Sequence, residues 1–270
     1  MRERSQGWLK AGLWLAGSYA ALVGLAYASQ RKLLYPAPQP PREPDRNHGE
    51  LIRTSTPSGR EVVALWVKGD TSRPTVVHFH GTGEQLADVG SLAGALGRAG
   101  CNVLAVEYPG YGLASGQEPS EGALYEAAEG ALVYLRERLG VPVEKTTLMG
   151  QSLGSGVAAE MARRGLGARL VLLSPYTSIP EVAARVVPIL PGRLLVRDRF
   201  ATAEKAPEIR VPTLIVHGEK DELIPVAMGR ELGRRFPQVT VEVIAEAHHN
   251  DLFAPPHGAE LVARIAAFAR

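Results

Sequence analysis

Seven short runs of β-branched and aliphatic residues recur along this chain: Glu61–Val67, Thr75–His80, Asn102–Glu107, Thr146–Met149, Leu170–Leu173, Thr213–Val216 and Val239–Ile244. Most are closed by a glycine or a proline within a few residues, and helical patterns lie between them. These patterns fall near Asp88–Ala99, Ser120–Leu139, Leu153–Arg163, Val226–Phe236 and Gly258–Ala269. Strands that are apolar without polar alternation must be covered on both faces, and the intervening helices supply the cover. The expected fold class is therefore α/β, a mostly parallel central sheet flanked by helices. Such sheets place their chemistry at the carboxyl ends of the strands.

Gly150-Gln151-Ser152-Leu153-Gly154 stands at one of those ends, between a predicted strand and a predicted helix. The two glycines permit a tight strand–turn–helix that lifts a serine hydroxyl above the sheet beside a helix N-terminus. A glycine-rich turn with a capping serine would read the same way, so the strand–helix context carries the assignment of Ser152 as nucleophile. A serine needs a base, and the base needs an orienting carboxylate. Asp221 follows the strand Thr213–Val216 in His217-Gly-Glu-Lys-Asp221, and His249 follows the last strand in Ala247-His-His-Asn-Asp251. The chain order serine, aspartate, histidine differs from that of the two common serine-protease classes. Asp221 as a turn cap and His249 as a surface residue are the plainer alternatives. His248 is expected to point away from its neighbour, packing behind the site or binding a backbone carbonyl, because adjacent side chains in an extended loop leave on opposite sides.

Attack on a carbonyl also requires amide donors for the oxyanion. The Leu153 N–H, directly after the serine, is one candidate. The loop His80-Gly81-Thr82-Gly83 offers the second, most simply through Thr82. His78 and His80, with His217 or His248, invite comparison with a metal site, but no metal-hydrolase motif accompanies them and strand or loop roles are expected. The runs Gly81–Leu86 and Gly110–Ser115 each lack the third glycine of a dinucleotide fingerprint, so no cofactor is expected. A single cysteine, Cys101, excludes an intrachain disulfide framework. With 30 Lys and Arg against 28 Asp and Glu, the chain lacks the basic excess of a nucleic-acid binder.

The first fifty residues differ in kind. Ala11–Gln30 contains no charge, and as a helix its twenty residues would cover about 30 Å, one hydrocarbon thickness. Trp8 and Trp14 near one end, with Tyr27 and Tyr35 near the other, suit interfacial anchoring. The expected organisation is a transmembrane anchor over residues 1–30, a proline-rich spacer over 31–50, and one globular domain over 51–270. A cleaved signal peptide is one rival, since Ala26-Tyr27-Ala28 fits a processing site. A buried core helix is the other, although the run is apolar all round and longer than a core segment needs. Basic residues flank the run on both sides, so charge does not set its orientation. Within the domain, residues 175–208 have room for a small apolar lid, with Pro188 and Pro191 interrupting its helices.

These residues together resemble the α/β-hydrolase fold. Within it they resemble the single-pass, membrane-anchored group that includes fungal-type cell-polarity hydrolases, animal protein depalmitoylases and lysophospholipid hydrolases. The resemblance rests on the apolar N-terminus, Arg31-Lys-Leu-Leu-Tyr-Pro36, His80-Gly81, Glu107-Tyr-Pro-Gly-Tyr-Gly112, Gly150–Gly154, Ser174-Pro-Tyr-Thr-Ser178, His217–Asp221 and His249-Asn-Asp251. It implies a serine hydrolase acting on an ester or thioester, and the apolar lid beside a membrane anchor favours acylated or lipid substrates. Two positions depart from the group's pattern: Thr82 stands where Asn is usual, and His248 where Gly is common. A serine peptidase on the same fold and a non-catalytic membrane scaffold are the alternative functions. Dehalogenases and epoxide hydrolases of this fold would carry Asp where Ser152 stands.

Overall fold

The computed structural model describes residues 2–69 and 72–270. Eight strands form one sheet in the order β1-β2-β4-β3-β5-β6-β7-β8. They are β1 (Glu50–Ser55), β2 (Glu61–Val67), β3 (Thr75–Phe79), β4 (Asn102–Val106), β5 (Thr146–Gln151), β6 (Arg169–Leu173), β7 (Thr213–Gly218) and β8 (Val239–Ile244). The pairs β1–β2 and β2–β4 are antiparallel, and every pair from β4 to β8 is parallel. The expected mostly parallel α/β sheet is thus observed. Strands β3 and β4 are buried at every position, as residues covered on both faces must be.

Strand β1 was not anticipated from the sequence. It is an edge strand in which Ile52 alone is buried, so Glu50-Leu-Ile-Arg-Thr-Ser55 carries too little apolar alternation to be read. Two strand ends also fall one residue short of expectation. His80 and Glu107 leave the ladder after β3 and β4 and pair with each other instead, at 3.1 Å.

The helices are α1 (Arg2–Leu34), α2 (Leu86–Arg98), α3 (Glu121–Glu137), α4 (Leu153–Arg163), α5 (Ile179–Val186), α6 (Gly192–Leu195), α7 (Thr202–Lys205), α8 (Val226–Gly233) and α9 (Gly258–Phe268). Side-chain caps start several of them. Ser120 Oγ accepts from the Ala123 amide at 3.1 Å, and Ser178 Oγ accepts from the Glu181 amide at 3.4 Å. Helices α5 and α6 lie within the stretch expected to form a lid, and the chain between them holds Pro188 and Pro191.

Helix α1 runs four residues beyond the uncharged run, to Leu34. Its segment Gly12–Leu34 is long and apolar enough to cross a membrane, and none of its most apolar window is buried. The side chains of residues 2–7 lie outside the described part of the structure, as does Met1.

Candidate active site

Ser152 sits between β5 and α4 with φ 49° and ψ −118°, a conformation unfavourable for a residue with a side chain. The turn is held by its neighbours: the Ser152 amide donates to Leu173 O at 2.9 Å, and Ser155 Oγ donates to Ser152 O at 2.6 Å. The flanking glycines are required by close approach. A Cβ on Gly150 would strike the Gly154 backbone, and a Cβ on Gly154 would strike the carbonyls of Phe79 and His80. Only with both glycines can α4 begin directly over β3 and β5.

The three sequence-selected side chains converge at the carboxyl end of the sheet. Ser152 Oγ lies 2.9 Å from His249 Nε2, and His249 Nδ1 lies 2.7 Å from Asp221 Oδ2. A carboxylate only accepts, so the proton of neutral His249 belongs on Nδ1, leaving Nε2 to accept from the serine hydroxyl. Asp221 is fixed from its other side, where Oδ1 accepts the amides of Leu223 at 3.1 Å and Ile224 at 2.7 Å. Its carboxyl is held well below the usual carboxylate range. Burial acts to raise it, and hydrogen bonds from His217, His249 and the Ile224 amide outweigh that.

His217 is a contributor that the sequence did not assign to the site. Its Nε2 donates to Ile224 O at 2.7 Å and stands 3.4 Å from Asp221 Oδ2, with the ring wholly buried. Gly229 of α8 leaves room for that ring, since a Cβ there would collide with His217 Nδ1. His217 therefore props both the carboxylate and the loop that carries it.

The structure corrects the expectation for His248. It neither packs behind the site nor binds a carbonyl. It is exposed, with Nδ1 3.0 Å from Glu222 Oε2, while its amide donates to Asp251 Oδ1 at 2.6 Å. The Asp251 bond turns the chain so that His248 faces solvent and His249 faces Ser152.

Leu153 opens α4, so its amide has no carbonyl one turn earlier to satisfy it. The loop after β3 lies alongside: a Cβ on Gly81 would stand 3.6 Å from Ser152 Cβ, and Thr82 follows as an exposed residue. Two carboxylates shape this loop. Glu84 Oε2 accepts the Gly81 amide at 2.7 Å, and Glu107 holds His80 while also accepting the Leu86 amide at 3.2 Å. His80 donates from Nδ1 to Gly81 O at 2.9 Å, and its own carbonyl accepts the Tyr108 hydroxyl at 2.8 Å. Burial alone would lower the His80 pKa, but the Glu107 bond and charge, with Glu84 nearby, raise it above the ordinary histidine value. Both ring nitrogens of His80 are thus engaged, one by Gly81 O and one by the buried Glu107 carboxyl group.

Glu107 belongs to the motif Glu107–Gly112, but the sequence assigned it no role at the site. A lone carboxylate at the end of an otherwise apolar strand was the available signal. His78, two residues before His80, is driven down to about 3 by burial and by the His80 charge, so it is neutral. Among the described residues no group of three or more His, Cys, Asp or Glu converges in a way that could hold a metal ion.

A family model described as "Serine aminopeptidase, S33" matches residues 70–203, and one described as "alpha/beta hydrolase fold" matches residues 182–256. Alpha/beta hydrolase domain-containing protein 17B of Homo sapiens is 32% identical over 206 residues, covering 75% of this chain and 70% of that protein. Alpha/beta hydrolase domain-containing protein aho-3 of Caenorhabditis elegans is 36% identical over 182 residues, 66% of this chain and 53% of that one. Among solved structures, an esterase of Pyrococcus furiosus superposes with a TM-score of 0.71 at 18% identity, covering 87% of this chain and 96% of that one. A monoacylglycerol lipase of Paleococcus ferrophilus gives 0.56 at 21% identity, covering 82% and 98%.

Proposed function

This chain belongs to the α/β-hydrolase fold family and is a hydrolase, and from that premise we propose that it cleaves carboxylic esters or thioesters through an acyl-enzyme on Ser152. The observation that carries the reading is the continuous hydrogen-bonded line Ser152 Oγ–His249–Asp221, with spacings of 2.9 and 2.7 Å, at a strained strand–helix turn.

In this mechanism Ser152 Oγ attacks the carbonyl carbon while His249 Nε2 takes the hydroxyl proton. The Asp221 carboxylate stabilises the resulting imidazolium through Nδ1. The tetrahedral oxyanion accepts hydrogen bonds from the amides of Leu153 and Thr82. Collapse breaks the carbonyl bond to the leaving oxygen or sulfur, which receives the proton from Nε2. Water, deprotonated by His249, then attacks the acyl-enzyme. The products are a carboxylic acid and an alcohol or thiol, and Ser152 regains its proton. No step requires a cofactor.

Acylated or lipid substrates are favoured by the apolar lid together with α1, which we read as an uncleaved membrane anchor over residues 1–30. The proline-rich spacer follows the end of α1 at Leu34, and the catalytic domain begins at β1, with its lid over 175–208. Contacts from Tyr19 to Ile189 and from Tyr27 to Arg197, which cleavage after Ala28 would remove, support retention of the helix. Intact mass of the mature protein distinguishes the two. A serine peptidase remains the second reading, because the matching family model carries an aminopeptidase description.

A fluorophosphonate probe tests the proposal. Wild-type protein labels and folded Ser152→Ala does not, and acyl esters or thioesters compete for the site. Labelling that persists at Ser155 or Ser174 in the variant overturns the nucleophile assignment. Turnover of aminoacyl substrates with none of esters selects the peptidase. Folded wild-type protein that never labels selects the scaffold.

A further inference from the structure

The lid does not merely lie near the end of α1; it is strapped along it. Tyr19 Oη donates to Ile189 O at 2.8 Å, the Arg197 guanidinium stacks 4.1 Å over the Tyr27 ring, the Arg197 amide donates to Gln30 Oε1 at 2.8 Å, and Arg31 meets Asp198 at 3.6 Å. Tyr19 and Arg31 are twelve residues apart, about 18 Å along a helix. The lid therefore follows α1 well into the segment that is apolar on every side.

The face that the lid turns outward has the same character. Leu194 is 87% exposed, Ile189 65% and Val186 57%, beside Leu33 of α1 at 71%. A water-facing surface of that composition is costly unless something apolar covers it. Between α1 and the lid lies a cavity of about 260 Å³ lined by Tyr27, Leu33, Val182, Val186, Leu190 and Leu195.

Much of the lid's irregular backbone is paired within the fold. Non-helical chain survives at membrane depth only where its polar groups are satisfied. Pro188 and Pro191 have no N–H to satisfy. Leu190 donates to Val187 O at 3.0 Å, Gly192 to Leu190 O at 2.8 Å, and Leu194 to Pro191 O at 2.9 Å. The Ile189 carbonyl has the Tyr19 hydroxyl. At the rim, Arg185, Arg193 and Arg197 are exposed on the lid, and Arg31 and Lys32 on α1, a charge arrangement complementary to anionic headgroups.

We propose that the lid tip, Val186–Leu195, is immersed in the lipid leaflet beside α1, with its arginines at headgroup level and the cavity between lid and helix open to acyl chains. Substrate chains then approach from within the membrane rather than from water. The inference rests on the membrane seating of α1, and the test separates the two.

Cys101, the sole cysteine, is 1% exposed, so an added surface cysteine can be labelled selectively in the folded full-length protein. An environment-sensitive fluorophore is placed in turn at Leu194→Cys, Ile189→Cys, Leu15→Cys on α1, and Arg138→Cys. Arg138 is an exposed residue that ends α3 near the amino end of β5, at the opposite end of that strand from Ser152. The protein is reconstituted in phosphatidylcholine vesicles containing a minority of phosphatidylserine, with and without bromine on the acyl chains. Circular dichroism confirms that each labelled variant is folded. The expected result is a blue shift and severalfold stronger bromine quenching at positions 194, 189 and 15 than at 138. Quenching at 15 with an aqueous signal at 194 and 189 overturns the lid proposal and leaves the anchor standing. Aqueous signals at 194, 189 and 15 together overturn both.

Discussion

At the residue scale, two adjacent histidines separate cleanly. His249 bridges Ser152 and Asp221, whereas His248 stands in solvent against Glu222. Removing a triad base costs about 10⁴–10⁶ in kcat. His249→Ala should therefore nearly abolish ester turnover in folded protein, while His248→Ala keeps kcat within about tenfold of wild type. Steady-state kinetics on both variants checks this, and the reverse ranking would move the base to His248. Asp221 makes a second prediction, in stability. Its carboxyl is depressed in the folded state, so its stabilising contribution is present above the unfolded value, about pH 3.9, and is lost as pH falls through the folded one. Urea midpoints of wild type should fall steeply below about pH 4, and Asp221→Asn should lack that component of the acid limb. That His249 rather than its neighbour faces Ser152 was legible from its place in the His-Asn-Asp run. Its physical cause, the Asp251 carboxylate gripping the His248 amide, was not.

At the scale of elements, what matters is how three strand ends and one loop are held together. Helix α4 can start over β3 only because Gly154 carries no side chain. Overpacking a filled interior costs about 1–3 kcal/mol, so Gly154→Ala should lower the urea midpoint by that equivalent and displace the loop after β3. The buried His80–Glu107 pair is the second device. Glu107→Gln leaves His80 with a neutral partner and exchanges a charge-assisted bond for a weaker one, at a cost of about 1–3 kcal/mol in chemical denaturation. It should also depress kcat more than KM if, as in the proposed mechanism, the loop it positions serves the oxyanion, which exists only along the reaction path. Equal kcat in the two proteins would show that the pair acts on stability alone. Strands β3 and β4 are legible in the sequence as apolar runs, but nothing local records that the polar residues following them, 27 positions apart, meet in the core.

At the scale of the whole molecule, the sheet with its helices and α1 differ in composition yet are joined through residues 189–198. No residue of the Ser152–His249–Asp221 line lies before β5, so a chain lacking residues 1–30 should fold and turn over a short, water-soluble ester at a rate near wild type. Loss of the Tyr19, Tyr27 and Gln30 contacts should loosen residues 186–197, read as faster amide exchange there and little change in the sheet. Unfolding of the truncated chain would make α1 part of the core instead. The parallel sheet, the order of its helices and the positions of Ser152, Asp221 and His249 were determined by the sequence itself. Apolar runs and the turns that end them are local signals, and a parallel sheet brings all its strand ends to one side. Edge strand β1, the support of Asp221 by His217, the His80–Glu107 pair and the strapping of the lid to α1 were decided only by the tertiary structure. β1 buries too little to leave a pattern, and the Tyr19–Ile189 bond joins residues 170 positions apart, so no local run of residues records it.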